Sequence, residues 1–178
     1  MRKLILYIAA SLDNYIARPD GDVEWLNAPD LRLPKEDYGY SDFYQTIDTT
    51  LMGHRTYQAI LGFDVPFPYP EMTNYVFTRS EANSDNENVT FISGDVAAFV
   101  RTLKQKPGRD IWLIGGGQIN TLLLEHGLID RMILTLIPVL LGEGIPLFHG
   151  KPAETRFNPV SGRVFDNGVV QWIMNPVK

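Results

Sequence analysis

The stretch that decides the fold is Ile111-Trp112-Leu113-Ile114-Gly115-Gly116-Gly117-Gln118-Ile119-Asn120. The apolar run 111–114 is typical of a strand that is buried on both faces. A helix is predicted over 118–126, so the three glycines form a strand-to-helix turn. Glycines let the backbone approach a ligand closely, and the first amides of a helix favour phosphate. Three glycines in a row therefore favour a ligand-binding turn over a simple tight turn that needs positive φ.

This glycine turn differs from two familiar phosphate-binding motifs. The dinucleotide-binding fingerprint G-x-G-x-x-G would require glycine where this chain has Asn120, and the turn comes late in the chain. No Gly-Lys-Ser or Gly-Lys-Thr follows it, so P-loop chemistry is not supported.

A second strand end, Met52-Gly53-His54-Arg55-Thr56-Tyr57, has the same design. Gly53 frees the turn, Thr56 can cap the helix predicted over 56–61, and His54 and Arg55 can donate to an anion. Taken alone, this stretch also reads as an ordinary helix N-cap.

A third strand end, Val76-Phe77-Thr78-Arg79-Ser80, presents a hydroxyl, a guanidinium and a second hydroxyl. Ligands of open α/β sheets bind outside the carboxyl ends of the strands. Three such ends with phosphate-compatible groups predict a nucleotide cofactor.

The predicted elements define the fold class. Strands alternate with helices up to about residue 130, and strands follow strands after it, with Asp166-Asn167-Gly168 as a hairpin turn. This order predicts a mainly parallel α/β sheet with antiparallel C-terminal strands, in one domain over 1–178. Strands are predicted over 4–10, 48–52, 75–78, 89–92, 111–114, 131–139, 155–165 and 169–174, further helices over 42–47 and 95–105, and a long loop over 11–27.

Composition excludes several classes of protein. The chain has 178 residues, with 16 Lys and Arg against 21 Asp and Glu, and a formal net charge of −5. Nucleic-acid binders need a basic face, so none is expected here. Without cysteine there is no disulfide or thiolate chemistry, and the three histidines have no metal-ligand spacing. The apolar run 4–10 is too short for a signal sequence or a membrane span, so we expect a cytoplasmic protein. We expect its partner to be a small-molecule substrate.

Four stretches, in this order, resemble the dihydrofolate reductase superfamily. The closer likeness is to the C-terminal reductase domain of the bifunctional deaminase-reductase of riboflavin biosynthesis. The stretches are 9–17 (AASLDNYIA), 51–57 (LMGHRTY), 76–79 (VFTR) and 113–117 (LIGGG), the last continuing into 128–130 (LID) and 137–148 (IPVLLGEGIPLF).

The resemblance implies a three-layer α/β/α fold that binds NADPH and passes its hydride to a heterocyclic or ribosylamino-pyrimidine substrate. It places backbone groups of Ala9 and Ile16 at the nicotinamide amide. The phosphates and the adenosine would be met by Gly53, His54, Arg55, Thr56, Thr78, Arg79, Ser80, Gly115, Gly116, Gly117, Gln118 and Ile119.

Two positions need separate comment. His54 stands where the family usually has arginine, so we expect NADPH to be preferred through Arg55 and Arg79, by a smaller margin than in relatives with that arginine. Asp13 lies beside the expected nicotinamide pocket. It is either a catalytic residue that orients substrate or relays a proton, or an Asx-turn residue.

Two alternative functions and an assembly remain open. The chain could be the pyrimidine reductase of riboflavin biosynthesis itself, or a protein that binds NADPH without catalysis. The resemblance also points to a homodimer. We expect it to use the late strands within 131–174, because an exposed Ile145-Pro146-Leu147-Phe148 patch would be costly.

Overall fold

The structure is a computed structural model that describes residues 1–31, 33, 36–63, 65–79 and 87–177. The ten strands of this part are β1 (Leu4–Ser11), β2 (Tyr15–Ala17), β3 (Ile47–Gly53), β4 (Thr73–Phe77), β5 (Val89–Ile92), β6 (Asp110–Gly115), β7 (Arg131–Ile137), β8 (Ile145–Pro146), β9 (Phe157–Val164) and β10 (Val170–Pro176). The helices are α1 (Tyr40–Gln45), α2 (His54–Leu61), α3 (Val96–Gln105) and α4 (Gly117–Glu125), with short 3₁₀ turns at Glu24–Asn27 and Pro29–Leu31.

Eight strands form one sheet in the order β5-β4-β3-β6-β1-β7-β10-β9. Its first six strands are parallel, whereas β10 runs antiparallel to both β7 and β9. This arrangement confirms the predicted mainly parallel sheet with antiparallel C-terminal strands. The two remaining strands, β2 and β8, pair with each other.

Helices cover both faces of the sheet, which makes the three layers. On one face α3 and α4 contribute Val100, Leu103 and Leu123 to the largest core cluster, around Leu4 and Leu113. On the other face, α1 contributes Phe43 and α2 contributes Tyr57 and Ile60 to two smaller clusters. Because β1 and β6 lie at the centre of the sheet and are covered on both sides, they are largely continuous apolar runs in the sequence.

The structure departs from the sequence predictions mainly in the loops. The segment predicted as a loop over 11–27 contains β2 and a 3₁₀ turn, because the short strand pairs with β8, about 130 residues away in the chain. The helix predicted over 56–61 begins at His54, directly after β3, and the one predicted over 42–47 is shifted to Tyr40–Gln45.

The predicted apolar patch at 145–148 is wrong as a reason for dimerisation. Leu147 is 4% exposed and belongs to the largest core cluster, while Ile145 and Pro146 pair with β2. The last two strands do carry exposed apolar side chains, since Val160, Val164 and Trp172 are 54%, 73% and 40% exposed.

Candidate active site

Two of the predicted strand ends meet at the carboxyl edge of the sheet. In the ladder between β3 and β6, Met52 pairs with Gly115, which puts Gly53 against the glycine turn 115–117. The hydroxyl of Thr56 donates to the carbonyl oxygen of Gly115 at 3.2 Å. A Cβ added at Gly53 would lie 3.4 Å from Cγ1 of Ile119. The structure therefore brings together two stretches that the sequence separates by about sixty residues.

The first turns of α2 and α4 lie on either side of this contact. Among the described residues, no side chain caps either helix at Gly53 or Gly116. The opening amides of a helix have no partner within the helix and carry its positive dipole end. Two neighbouring helix starts of this kind, lined by glycine, suit a pyrophosphate group.

The predicted cations lie beside these helix starts. Arg55 is exposed in the first turn of α2 and His54 is half-buried there, with its ring centroid 6.2 Å from that of Phe91. Arg79 is exposed beyond β4, and its Nη2 donates to Oε1 of Gln118 at 3.1 Å, so the third strand end also reaches α4.

The remaining members of the third strand end are only partly described. The amide of Thr78 donates to the carbonyl oxygen of Ile92 at 3.0 Å and continues the pairing of β4 with β5. Ser80, the other predicted residue of this stretch, lies outside the described residues.

Ala9 faces a gap between β1 and β6. The two strands pair from Leu4 to Leu6, whereas the pairing of β1 with β7 continues as far as Ser11. Backbone groups alternate in direction along a strand, and the carbonyl oxygen of Lys3 accepts from Ile111 of β6. The N–H and C=O of Ala9 therefore point towards β6 beyond the last paired position, where an amide group could bind both.

Ile16 lies in β2, where it packs against the largest core cluster. It is held near β1 by the turn over 11–15, in which Asn14 has a φ of +63° and its amide donates to the carbonyl oxygen of Ser11 at 2.9 Å. Its placement at the nicotinamide amide stays a prediction.

Asp13 is held by three donors. Oγ of Ser11 donates to its Oδ1 at 2.5 Å, and the amides of Leu141 and Gly142 donate to the carboxylate at 3.1 and 2.7 Å. The Ser11 hydroxyl, followed by these two amides, holds the pKa of Asp13 below its ordinary value, although desolvation opposes them. A catalytic role for Asp13 stays a prediction, and its contacts join two loops that are far apart in the sequence.

A cluster of aromatic side chains lies beside Ala9 on the same face of the sheet. We call this cluster the aromatic wall, and it consists of Tyr7, Tyr40, Tyr44, Tyr69 and Trp112. The ring of Tyr69 lies 5.1 Å from that of Trp112, which also contacts Tyr7 and Tyr40 edge to face at 6.3 and 5.8 Å. Burial raises the pKa of Tyr7 and of Tyr40 to about 12. The hydroxyl of Tyr7 donates to the carbonyl oxygen of Tyr38 at 3.1 Å.

Asn120 lies beside the glycine turn and is not among the residues that the sequence predicts for the site. It is fully buried one turn into α4, and its Nδ2 donates to the carbonyl oxygen of Leu147 at 2.9 Å. Its Oδ1 has no hydrogen-bond partner among the described residues and would lie 3.4 Å from a Cβ at Gly115. A polar residue on the buried face of a helix is the signal that could have identified it.

Two kinds of feature are absent from the part of the chain that the structure describes. No group of three or more His, Asp or Glu side chains there is arranged to hold a metal ion. No helix within the same residues is both long enough and apolar enough to cross a membrane.

The strand order and the glycine-lined edge define a dihydrofolate reductase-like fold. The dihydrofolate reductase of Enterococcus faecalis, solved with NADP(H), superposes with a TM-score of 0.70 at 16% identity, over 99% of this chain and 97% of that one. A model of the RibD C-terminal domain matches residues 2–171, and the chain therefore belongs to the RibD C-terminal domain family.

Relatives in this family cover nearly the whole chain. The Bacillus subtilis protein YwjB is 44% identical over 94% of this chain and 95% of its own length. A structure from Shewanella sp. PV-4, described as a riboflavin biosynthesis protein, superposes with a TM-score of 0.87 at 28% identity, over 99% of both chains. The bifunctional deaminase and 5-amino-6-(5-phosphoribosylamino)uracil reductase of Thermotoga maritima shares the fold with a TM-score of 0.73 at 17% identity. This chain covers 57% of that protein.

Proposed function

We propose that this protein is an NADPH-dependent reductase that transfers a hydride to a small planar heterocycle, as a pyrimidine reductase does. The observation that carries this proposal is the carboxyl edge of the sheet. There, the gap beside Ala9 continues into the glycine-lined starts of α2 and α4. An edge that can bind an amide, next to an edge that can bind a pyrophosphate, matches the nicotinamide half of NADPH, which has a carboxamide at one end and a phosphate at the other.

The residues of this edge have separate tasks in the proposal. The first amides of α2 and α4, with Gly53 and Gly116 leaving space, would hold the pyrophosphate. The exposed guanidinium groups of Arg55 and Arg79 would bind the 2′-phosphate that distinguishes NADPH from NADH. The backbone of Ala9 would hold the carboxamide and orient the ring. The hydride itself is supplied by the cofactor, so the protein contributes binding and orientation.

The aromatic wall supports a planar substrate. Tyr7 and Ala9 are consecutive residues on one face of β1, so a ring held at Ala9 would lie next to Tyr7. The half-buried phenol rings of Tyr40, Tyr44 and Tyr69 would offer apolar surface for stacking a heterocycle, and the Tyr40 hydroxyl, which is neutral at physiological pH, could donate to its ring nitrogens or carbonyl oxygens. The Thermotoga relative reduces a phosphoribosylamino-uracil, which has such a ring.

The proposal is tested by binding followed by turnover. We expect NADPH to bind the purified protein more tightly than NADH in calorimetric titration. We also expect the loss of NADPH absorbance to accelerate with a pyrimidine, a pterin or their ribosyl derivatives, tested with and without the ribose phosphate. A preference for the phosphorylated ribosylamino-uracil would identify the riboflavin reaction.

Two other outcomes would contradict the proposal. Binding of NADPH without turnover of any planar heterocycle would indicate a cofactor-binding protein without catalysis. A chain that binds neither nicotinamide cofactor would have kept the fold and lost the function.

A further inference from the structure

Residues 139–149 form a strap that crosses from the loop after β1 to the glycine turn. On the side of the loop, the carbonyl oxygen of Val139 accepts from Leu12 at 2.8 Å, and the amide of Leu147 donates to the carbonyl oxygen of Asn14 at 2.8 Å. Between these contacts β8 pairs with β2. The strap is thus fixed along the whole of residues 12–17.

The other side of the strap is fixed to the start of α4. The amide of His149 donates to the carbonyl oxygen of Gly117 at 3.2 Å, and Nδ2 of Asn120 donates to the carbonyl oxygen of Leu147 at 2.9 Å. A Cβ at Gly117 would lie only 2.3 Å from the carbonyl oxygen of Pro146, so the contact is too close for any side chain there. The same strap therefore contacts both loops that border the proposed cofactor cleft.

Asp13 is the only side chain of the 11–17 loop that the structure shows accepting hydrogen bonds from the strap. Its two carboxylate oxygens accept from the amides of two consecutive strap residues, Leu141 and Gly142. The hydroxyl of Ser11 also donates to Oδ1. Ser11 is fully buried, and its Oγ also accepts from the amide of Tyr15 at 2.9 Å. A carboxylate that accepts hydrogen bonds from several donors in this way is held in one position.

We propose that Asp13 is a positioning residue that anchors the strap and through it holds the 11–17 loop at a fixed distance from the glycine turn. The cofactor cleft is then formed before any ligand binds, and binding does not have to order the two loops. This inference rests on the proposed function, and it gives Asp13 a role in cofactor affinity rather than in proton transfer.

The first experiment follows amide hydrogen exchange in the protein without ligand. In Asp13→Asn, the side chain keeps one oxygen acceptor but presents an N–H to the second strap amide, so at least one of the Leu141 and Gly142 amides loses protection. If the strap moves as a unit, the amides of Leu147 and His149 lose protection as well. Faster exchange confined to residues 141–142 would overturn the proposal, because Asp13 would then hold only the two residues that it contacts and not the whole strap.

The second experiment compares NADPH affinity in matched variants. Asp130→Asn is the control, because Asp130 also accepts a backbone amide, that of Leu4 at 2.8 Å, but at the opposite, amino edge of the sheet. We expect Asp13→Asn to weaken NADPH binding about tenfold, the loss of roughly one charge-assisted hydrogen bond. Asp130→Asn should lower the melting temperature and leave NADPH affinity unchanged.

The outcomes separate this inference from the proposed function. If the wild-type protein does not bind NADPH, the proposed function fails, whereas the exchange experiment still tests the strap. If Asp13→Asn binds NADPH normally and loses only kcat, Asp13 is catalytic and the positioning role is wrong. If Asp13→Asn does not fold, Ser11→Ala, which removes one donor to the same carboxylate, takes its place in both experiments.

Discussion

The hydroxyl of Thr56 and the carbonyl oxygen of Gly115 form a 3.2 Å hydrogen bond that joins the start of α2 to the glycine turn. The bond spans the two helix starts to which we assign the pyrophosphate. A substitution that disturbs this hydrogen bond should weaken cofactor binding and leave substrate binding unchanged.

Gly116→Ala tests this contact. Gly116 has a φ of +108°, and a Cβ there would lie 3.0 Å from Oγ1 of Thr56. We expect a loss of about 1–3 kcal/mol in unfolding free energy from backbone strain, together with at least tenfold weaker NADPH binding in calorimetry. Gly127→Ala is the control, since Gly127 also has positive φ, +62°, but nothing within 4 Å. Equal NADPH affinities in the two variants would contradict the assignment.

His54→Arg tests cofactor choice. His54 begins α2 beside Arg55, and a guanidinium can bind phosphate bidentately where an imidazole cannot. We expect NADPH to bind more tightly by on the order of 1 kcal/mol, and NADH to be nearly unaffected. His54→Gln, which adds no charge, is the control. A shift of equal size for both cofactors would show that position 54 does not face the 2′-phosphate.

Local patterns predicted most of the sheet, because buried strands are apolar runs and turns have a composition of their own. The hairpin at Asp166-Asn167-Gly168 is one example, with Gly168 at a φ of +82° and its amide donating to the carbonyl oxygen of Phe165. The pairing of β2 with β8 could not be predicted from the sequence, because strands of three and two residues are too short to show an alternating pattern.

The candidate site was predicted only in part for a similar reason. The glycine turn is visible in the sequence because three adjacent glycines are unusual. The gap beside Ala9 is not visible, since it depends on where β1 and β6 separate. Likewise, the donors to Asp13 come from residues 141 and 142, about 130 positions later in the chain, and no local pattern could have predicted them.

The last two strands lead us to propose a homodimer. β9 is an edge strand of eight residues, and the neighbouring side chains Val164 and Trp172 lie 73% and 40% exposed. A long edge with apolar side chains is normally covered. We expect a dimer at micromolar concentration by light scattering, and a monomer for Val164→Lys. Leu61→Lys, an exposed residue on α2, should stay dimeric. A monomeric wild-type protein would refute the proposal.

The buried pair of Lys104 and Asp130 should be a main determinant of stability. Lys104 is 4% exposed and donates both to the Asp130 carboxylate and to the carbonyl oxygen of Leu128, at 2.9 Å for the latter. Asp130→Ala leaves a buried ammonium group with one partner fewer, so we expect a loss of about 3 kcal/mol in denaturant unfolding. Lys104→Met together with Asp130→Ala should recover part of this loss. A double variant less stable than Asp130→Ala would contradict the account.

The anchoring of the strap by Asp13 should depend on pH in one direction only. Three donors hold the folded-state pKa of Asp13 below its ordinary value of 3.8, with the Ser11 hydroxyl as the largest cause. A carboxyl group whose pKa is lowered by folding stabilises the protein above its unfolded pKa, and this contribution is lost as the pH falls through the folded pKa. The difference in unfolding free energy between wild type and Asp13→Asn should therefore be constant above about pH 5 and shrink below about pH 4. Urea unfolding of both proteins across this range measures it. A difference that grows as the pH falls, or one that changes between pH 6 and 8, would mean that another group titrates with the strap and that the carboxylate of Asp13 is not its anchor.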